Sequence, residues 1–502
     1  MVAQVEQVRP TQERTQIPSP SELYIPLSKE QEYAQEHNIE FHRLQNGIRL
    51  IGVNRKVEDR ATASVYFTFP TGAYFDPSDK SGAHHFLEHL MAYDLVKLGA
   101  KHHAKTNATT RMTELEFYVK GPAHPDVSEY GVWPILPHLI NTALHPLEQN
   151  ESIDALFQSE KESILKEITM YHNDPAFLAA KAVRELVLDK ANPNYGFSTG
   201  TLESVKNISL ADLRSLASQI IVPDRLVVSV FTEGDERIKR KIIDTLIDQL
   251  SNFPRVDKAQ NLLDRTLLEQ FNSEFALGKE YTFDIPGLNE NLISSYLWKL
   301  PCERFIPERS ALVRLQELLQ DKFWTYIRSR GLSYAPTVSL GFTEGTANIV
   351  LALQTDNTQE MTDAIRKTLM DDIKIHVLSS ITEEEYENLN RNYHLAKKAV
   401  PREIGERFTD AVTGVSEKDM IFDTDKFDLV DDAVEVSHFK TWVDKLSAIK
   451  PALLLFKDEV FMKTGRSRVH PAEEQVQGDI ELISPIPLPV PGLEERDERL
   501  AA

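Results

Sequence analysis

Residues 82–92 read GAHHFLEHLMA, three histidines and a glutamate set among Phe, Leu and Met. Imidazoles and a carboxylate are costly to bury beside apolar side chains unless something satisfies them. On a helix, residues three and four apart share a face, so His85 and His89 project side by side with Glu88 adjacent to both. The order is His-x-x-Glu-His. Two imidazoles in this register suit a tetrahedral zinc ion, and a neighbouring carboxylate that is not a ligand can act as base for a water. The competing reading is a helix whose histidines merely cap carbonyls.

Zinc that does catalysis needs a third protein ligand and an open fourth position. The stretch SEKESILKEITMYHNDP offers candidates. Glu160 and Glu167 lie two helical turns apart and stack on one face, with Ile164 and Leu165 as apolar positions between them. The bland reading of the same glutamates is a solvated charged face.

The elements that must position these groups are legible as patterns. FHRLQNGIRLIGV predicts a hairpin around Asn46-Gly47, and ATASVYFTFPTGA (61–73) a strand rich in β-branched and aromatic residues. After the histidine helix come a polar loop and a further strand, ELEFYVKGP. Amphipathic segments follow at 131–145 and 150–172, a helix start at Ser209, and a buried strand over 226–235. A Pro- and charge-containing stretch at 252–261 reads as a linker. Beyond it the order recurs: a strand at 292–300, a long helix at 308–329, two strands, then helical stretches at 358–378 and 382–398. Two halves of similar size and element order suggest a duplicated α+β unit.

The chain has 502 residues and a formal net charge of −21, which argues against nucleic-acid and anionic-membrane partners and favours neutral or basic ligands. Cys302 is the single cysteine, so no intrachain disulfide can form. The N-terminal residues show no apolar signal region, and no apolar run approaches a membrane span, so the expected location is cytoplasmic.

GAHHFLEHL, followed by the Glu160/Glu167 helix, resembles the insulinase/pitrilysin family of zinc metallopeptidases, which includes the mitochondrial processing peptidases. TNATTRMTELEFYV, NPNYGFSTGTLESVKNISLADL and FWTYIRSRGLSYAPTVS extend the likeness over roughly residues 40–465. The resemblance implies that His85, His89 and Glu167 bind Zn2+, that Glu88 is the general base, and that Glu160 supports the site without touching the metal. It makes Asn107 and Ala108 candidates for contacting the substrate backbone, with the peptide adding a strand to an open sheet edge near 113–120. It casts Arg328 and Tyr334 as the pair that binds substrate and stabilises the oxyanion, although Arg328 stands one residue closer to Tyr334 than the family pattern has. His84 replaces a residue that is usually small and points off the ligand face.

The implied fold is α+β, two homologous α/β-sandwich domains, each a mixed or antiparallel sheet with helices packed on it, forming half of a clam-shell chamber. The implied division is a polar arm over 1–38, a zinc-binding peptidase domain over 39–255, a homologous domain over 262–465 and a Pro-rich acidic tail over 466–502. The implied activity is zinc-dependent endopeptidase cleavage of peptides or unfolded segments. With length for only one half of a chamber, the chain is expected as a homodimer or as a heterodimer with a related subunit. The alternatives are a catalytic subunit that needs such a partner to complete its site, and a peptide-binding scaffold without catalysis.

Overall fold

The computed structural model describes residues 34–35, 38–77, 79–145, 147, 153–192, 195–255, 272–288, 291–301, 307–343, 346–356, 358–368, 372–397 and 435–459. Nearly all of the expected arm, the whole of the tail, Cys302 and the second half of the expected linker lie outside these residues.

The first unit is built on a six-stranded sheet: β1 (Glu40–Arg43), β2 (Arg49–Arg55), β3 (Thr62–Phe69), β4 (Lys105–Thr110), β5 (Leu115–Pro122) and β6 (Val227–Glu233). Its spatial order is β1-β2-β6-β3-β5-β4. The Asn46-Gly47 turn joins β1 to β2 in antiparallel register, Arg43 opposite Arg49. β2 and β6 run parallel, and every other neighbouring pair is antiparallel. Burial follows the pleat. Val65 and Phe67 of β3 and Phe117 and Val119 of β5 point to one face. That face packs in one core with Phe86, Leu87 and Leu90 of the Ala83–Lys101 helix. Each such side chain, fully buried, contributes about 1.5–3 kcal/mol.

The second unit repeats the plan: β7 (Glu280–Asp284), β8 (Asn291–Pro301), β9 (Thr337–Thr343), β10 (Thr346–Asp356) and β11 (Ala452–Lys457), ordered β7-β11-β8-β10-β9. β7 and β11 are parallel and the rest antiparallel. Strand for strand this is the β2-β6-β3-β5-β4 arrangement of the first sheet, so the duplication suggested by element order extends to topology. The Pro307–Ser329 helix follows β8 as the Ala83–Lys101 helix follows β3. It carries no His-x-x-Glu-His, so only the first unit has the cluster. The two units meet where Ala179 and Val187, from the Pro175–Val187 helix of the first, pack on Leu297, Leu454 and Phe456 of the second sheet.

Within the helical 358–378 stretch, the described residues form helices Gln359–Lys367 and Ile373–His376 and a 3-10 turn at Leu378–Ser380. One expectation needs correcting: the open sheet edge is not near 113–120. β5 is paired on both sides, by β3 and β4, and the edge is β4, a polar strand (KTNATT) with no hydrophobic run to signal it. Among the described residues, no helix is long and apolar enough to cross a membrane.

Candidate metal centre

The Ala83–Lys101 helix starts at Gly82, whose φ of +92° suits glycine; a Cβ there would stand 2.6 Å from the Thr199 carbonyl oxygen. The segment around Thr199 thus presses on the start of the histidine helix, and Ser204 Oγ donates to the Ser81 carbonyl at 2.7 Å. At its far end the helix closes on the edge strand. A Cβ on Gly99 would lie 2.3 Å from Thr106 Oγ1, and Thr106 Oγ1 donates to the Leu95 carbonyl at 2.9 Å. The helix is therefore fixed alongside β4.

His84, the histidine with no assigned task, is fully buried and satisfied at both ring nitrogens. Its Nδ1 lies 2.6 Å from Asp76 Oδ1 and its Nε2 2.9 Å from Thr71 Oγ1. The same Asp76 carboxylate accepts the backbone N–H groups of Gly82, Ala83 and His84 at 2.6, 3.1 and 2.9 Å. Asp76 caps the helix, and His84 locks Asp76 to it. His84→Ala should destabilise the fold by about 3 kcal/mol, because a buried carboxylate loses a charge-assisted partner; chemical denaturation would measure it, and a loss below about 0.5 kcal/mol, the scale of an ordinary surface substitution, would refute the strut.

The Ile153–Asn173 helix brings up the carboxylates. Phe157, Ile164 and Ile168 bury its inner side, and Phe157 stacks on Phe86 at 4.9 Å with planes 10° apart. This stack sets the register between the two helices. Glu167 Oε2 lies 3.8 Å from His85 Nε2 and 3.5 Å from His89 Nε2. One ligand atom from each of His85, His89 and Glu167 falls within 4.8 Å of the others, the one such group among the described residues. Zinc–ligand bonds of about 2.0–2.2 Å put donor atoms of a tetrahedral site roughly 3.4 Å apart, so a cation fits among these three. On its other side, His89 Nδ1 meets Glu160 Oε2 at 3.0 Å. A carboxylate behind an imidazole fixes the ring and its tautomer.

The electrostatics separate the two histidines. Burial, helped by the neighbouring His89, lowers the His85 pKa to about 4, so His85 is neutral and ready to ligate. Burial also works against charge on His89, but hydrogen bonds to Glu167 and Glu160 outweigh it and raise its pKa to about 9. For Glu167 burial is opposed, and outweighed, by the His89 hydrogen bond and the pull of both histidines, which hold its carboxyl below the usual range. Glu88 goes the other way: burial raises its pKa, and the Thr110 hydrogen bond offsets this only in part. A carboxylate raised towards neutrality is a suitable base.

The remaining expected residues fall in two places. Asn107 is exposed on the edge strand, while Ala108 is buried and can offer only backbone groups. Arg328 and Tyr334 find each other in the second unit. The Arg328 guanidinium lies 4.6 Å from the ring centroids of both Trp324 and Tyr334, and Nη1 reaches the Tyr334 carbonyl at 3.4 Å. Tyr334 is 82% exposed. Among the described residues neither makes a hydrogen bond, ion pair or ring contact with the histidine group. Sequence reasoning missed Asp76, Thr110 and Tyr171. Tyr171 hydrogen-bonds Glu167, and burial together with that charge raises its pKa to about 12; its signal was its place one turn after Glu167.

No family model matches the sequence and no curated protein is significantly similar to it. Solved structures do match. A protease from Helicobacter pylori aligns over 84% of this chain and 99% of its own, with a TM-score of 0.62 at 16% identity. The inactive domain of an M16 peptidase from Pseudomonas fluorescens aligns over 84% and 98%, at 0.59 and 16%. The periplasmic protease PqqL from Escherichia coli aligns over 93% of this chain and 53% of its own, at 0.63 and 15%. At such identities the likeness shows the fold: this chain has the paired α/β-sandwich scaffold of pitrilysin-like peptidases.

Proposed function

We propose that the chain is a zinc-dependent endopeptidase of the insulinase/pitrilysin type, acting on peptides or unfolded segments. The observation that carries this is the convergence of His85, His89 and Glu167 with the half-buried Glu88, beside β4, the edge strand among the described residues. Bound by the two imidazole Nε2 atoms and the Glu167 carboxylate, zinc would supply a Lewis acid that acidifies water and polarises a carbonyl. The Glu88 carboxylate takes the proton of the attacking water and returns it to the leaving amine. Glu160 holds the His89 ring, and Tyr171 holds Glu167. The β4 backbone at Asn107 and Ala108 pairs with the extended peptide, placing its scissile bond against the histidine helix.

The functional unit we propose is a dimer, homodimeric or with a related chain. Arg328 and Tyr334 stack on each other in the second unit and, among the described residues, make no contact with this chain's histidines; the exposure of Tyr334 supports assigning the pair to the site of the second chain. Assay of the purified chain against an unstructured peptide tests the reading. We expect cleavage that a chelator abolishes and one equivalent of zinc restores. Metal-independent cleavage contradicts it; cleavage only after a related chain is added assigns the heterodimer.

A further inference from the structure

The wall next to the peptide-binding edge carries charges in a fixed order. Ala108, Phe117, Val119, Val65 and Phe67 face the helices, so the alternate residues of β4, β5 and β3 face the other way. The register sets these in rows: Thr109, Glu116 and Thr68; Asn107, Tyr118 and Tyr66; Lys105, Lys120 and Ser64. The middle row carries two aromatic rings inward of Asn107, with Tyr66 and Tyr118 centroids 5.7 Å apart. Lys120 Nζ lies over both rings, 5.2 and 4.8 Å from their centroids.

Glu116 stands apart. It is partly buried and accepts a hydrogen bond from Thr68 Oγ1 at 3.3 Å. No described side chain forms an ion pair with it, and the nearby Arg111 is engaged by Glu114 at 3.1 Å. Burial raises its pKa, and the charges of Arg111 and Lys120 only partly offset this. A partly desolvated carboxylate without its own cation is stabilised when a ligand brings one. A peptide added to β4 would present every second side chain to this wall, one per row. Lysine or arginine is long enough to cross the short Thr109 and meet Glu116, two strands away.

Resting on the peptidase reading above, we infer that this wall selects extended peptides bearing Lys or Arg on one residue and Asp or Glu four residues away. The basic side chain meets Glu116, the acidic one meets Lys105 and Lys120, and the residue midway between them packs on Tyr118 and Tyr66.

The zinc-loaded Glu88→Gln chain, which holds peptides without cutting them, is the reagent, and fluorescence anisotropy of labelled peptides the readout. Peptides with Lys and Glu four apart, in one of the two orders, should bind about tenfold tighter than peptides with the pair three apart or replaced by Gln. The preferred order reports the polarity of strand addition. Adding Glu116→Gln should erase the preference for the basic residue, and Glu116→Lys should reverse it. Should either variant melt early or lose zinc, Thr109→Lys, on the outer strand, is the alternative and should repel the basic peptides. Equal affinity across all peptides, or a preference untouched by Glu116→Gln and Thr109→Lys, overturns the inference. Zinc-loaded wild-type chain that cleaves none of these peptides, either alone or with a related chain added, counts against the peptidase reading instead.

Discussion

Glu88→Gln should lower kcat for peptide cleavage by about 10²–10⁴-fold and leave the zinc content unchanged. The substitution keeps the shape of the side chain and removes only its capacity to hold a proton. Glu88 is absent from the three-residue ligand group, and its hydrogen bond is to Thr110 on the edge strand. KM should move little, because the peptide is held by β4 and the wall beside it. Metal analysis of the same preparation separates this outcome from a collapsed site: zinc lost with Glu88 would make it a ligand, and turnover preserved without it would remove it from the chemistry.

Glu167→Ala should behave in the opposite way, losing the metal and the activity together. The comparison with Glu160 is informative, since the two glutamates are one heptad apart on the same helix. Glu160 touches only the far side of the His89 ring, so Glu160→Gln should weaken zinc binding by about 10–100-fold. Glu167→Ala should weaken it further than that. Zinc affinity should also depend on pH with a definite sign. His89 has its pKa raised to about 9, so below that pH the ion must displace its proton. His85, at about 4, has none to lose. Affinity should therefore fall as pH drops below about 9, with close to one proton released per zinc at neutral pH. Isothermal titration in buffers of different ionisation enthalpy reads that proton directly.

The histidine–glutamate cluster was the most legible part of the sequence. His85, Glu88 and His89 depend on helical spacing alone, and a helix preserves spacing faithfully. The pairing of that helix with Glu167 was suggested by stacking on a face, but its actual cause is the Phe86–Phe157 contact, a long-range event that local pattern does not encode. The edge strand was misplaced because KTNATT lacks the alternation of a half-buried strand, while its neighbour LEFYVKGP has it clearly. Polar composition is typical of an edge that stays soluble until a ligand covers it. His84 was likewise opaque: its partners Asp76 and Thr71 lie in the loop after β3, whose path only the folded chain defines. The duplication was visible in element order and extends to topology, whereas the residue patterns of the two units differ and only the first carries His-x-x-Glu-His.

Zinc peptidase chemistry at this site requires a cation held by His85, His89 and Glu167. Crystals grown with one equivalent of zinc, measured on either side of its absorption edge, give the test. The expected result is a single anomalous peak about 2.0–2.2 Å from His85 Nε2, His89 Nε2 and a Glu167 oxygen, with Glu160 no closer than the far side of the His89 ring. A map with no peak there, or with zinc held instead by His102 and His103 on the loop before β4, would contradict it.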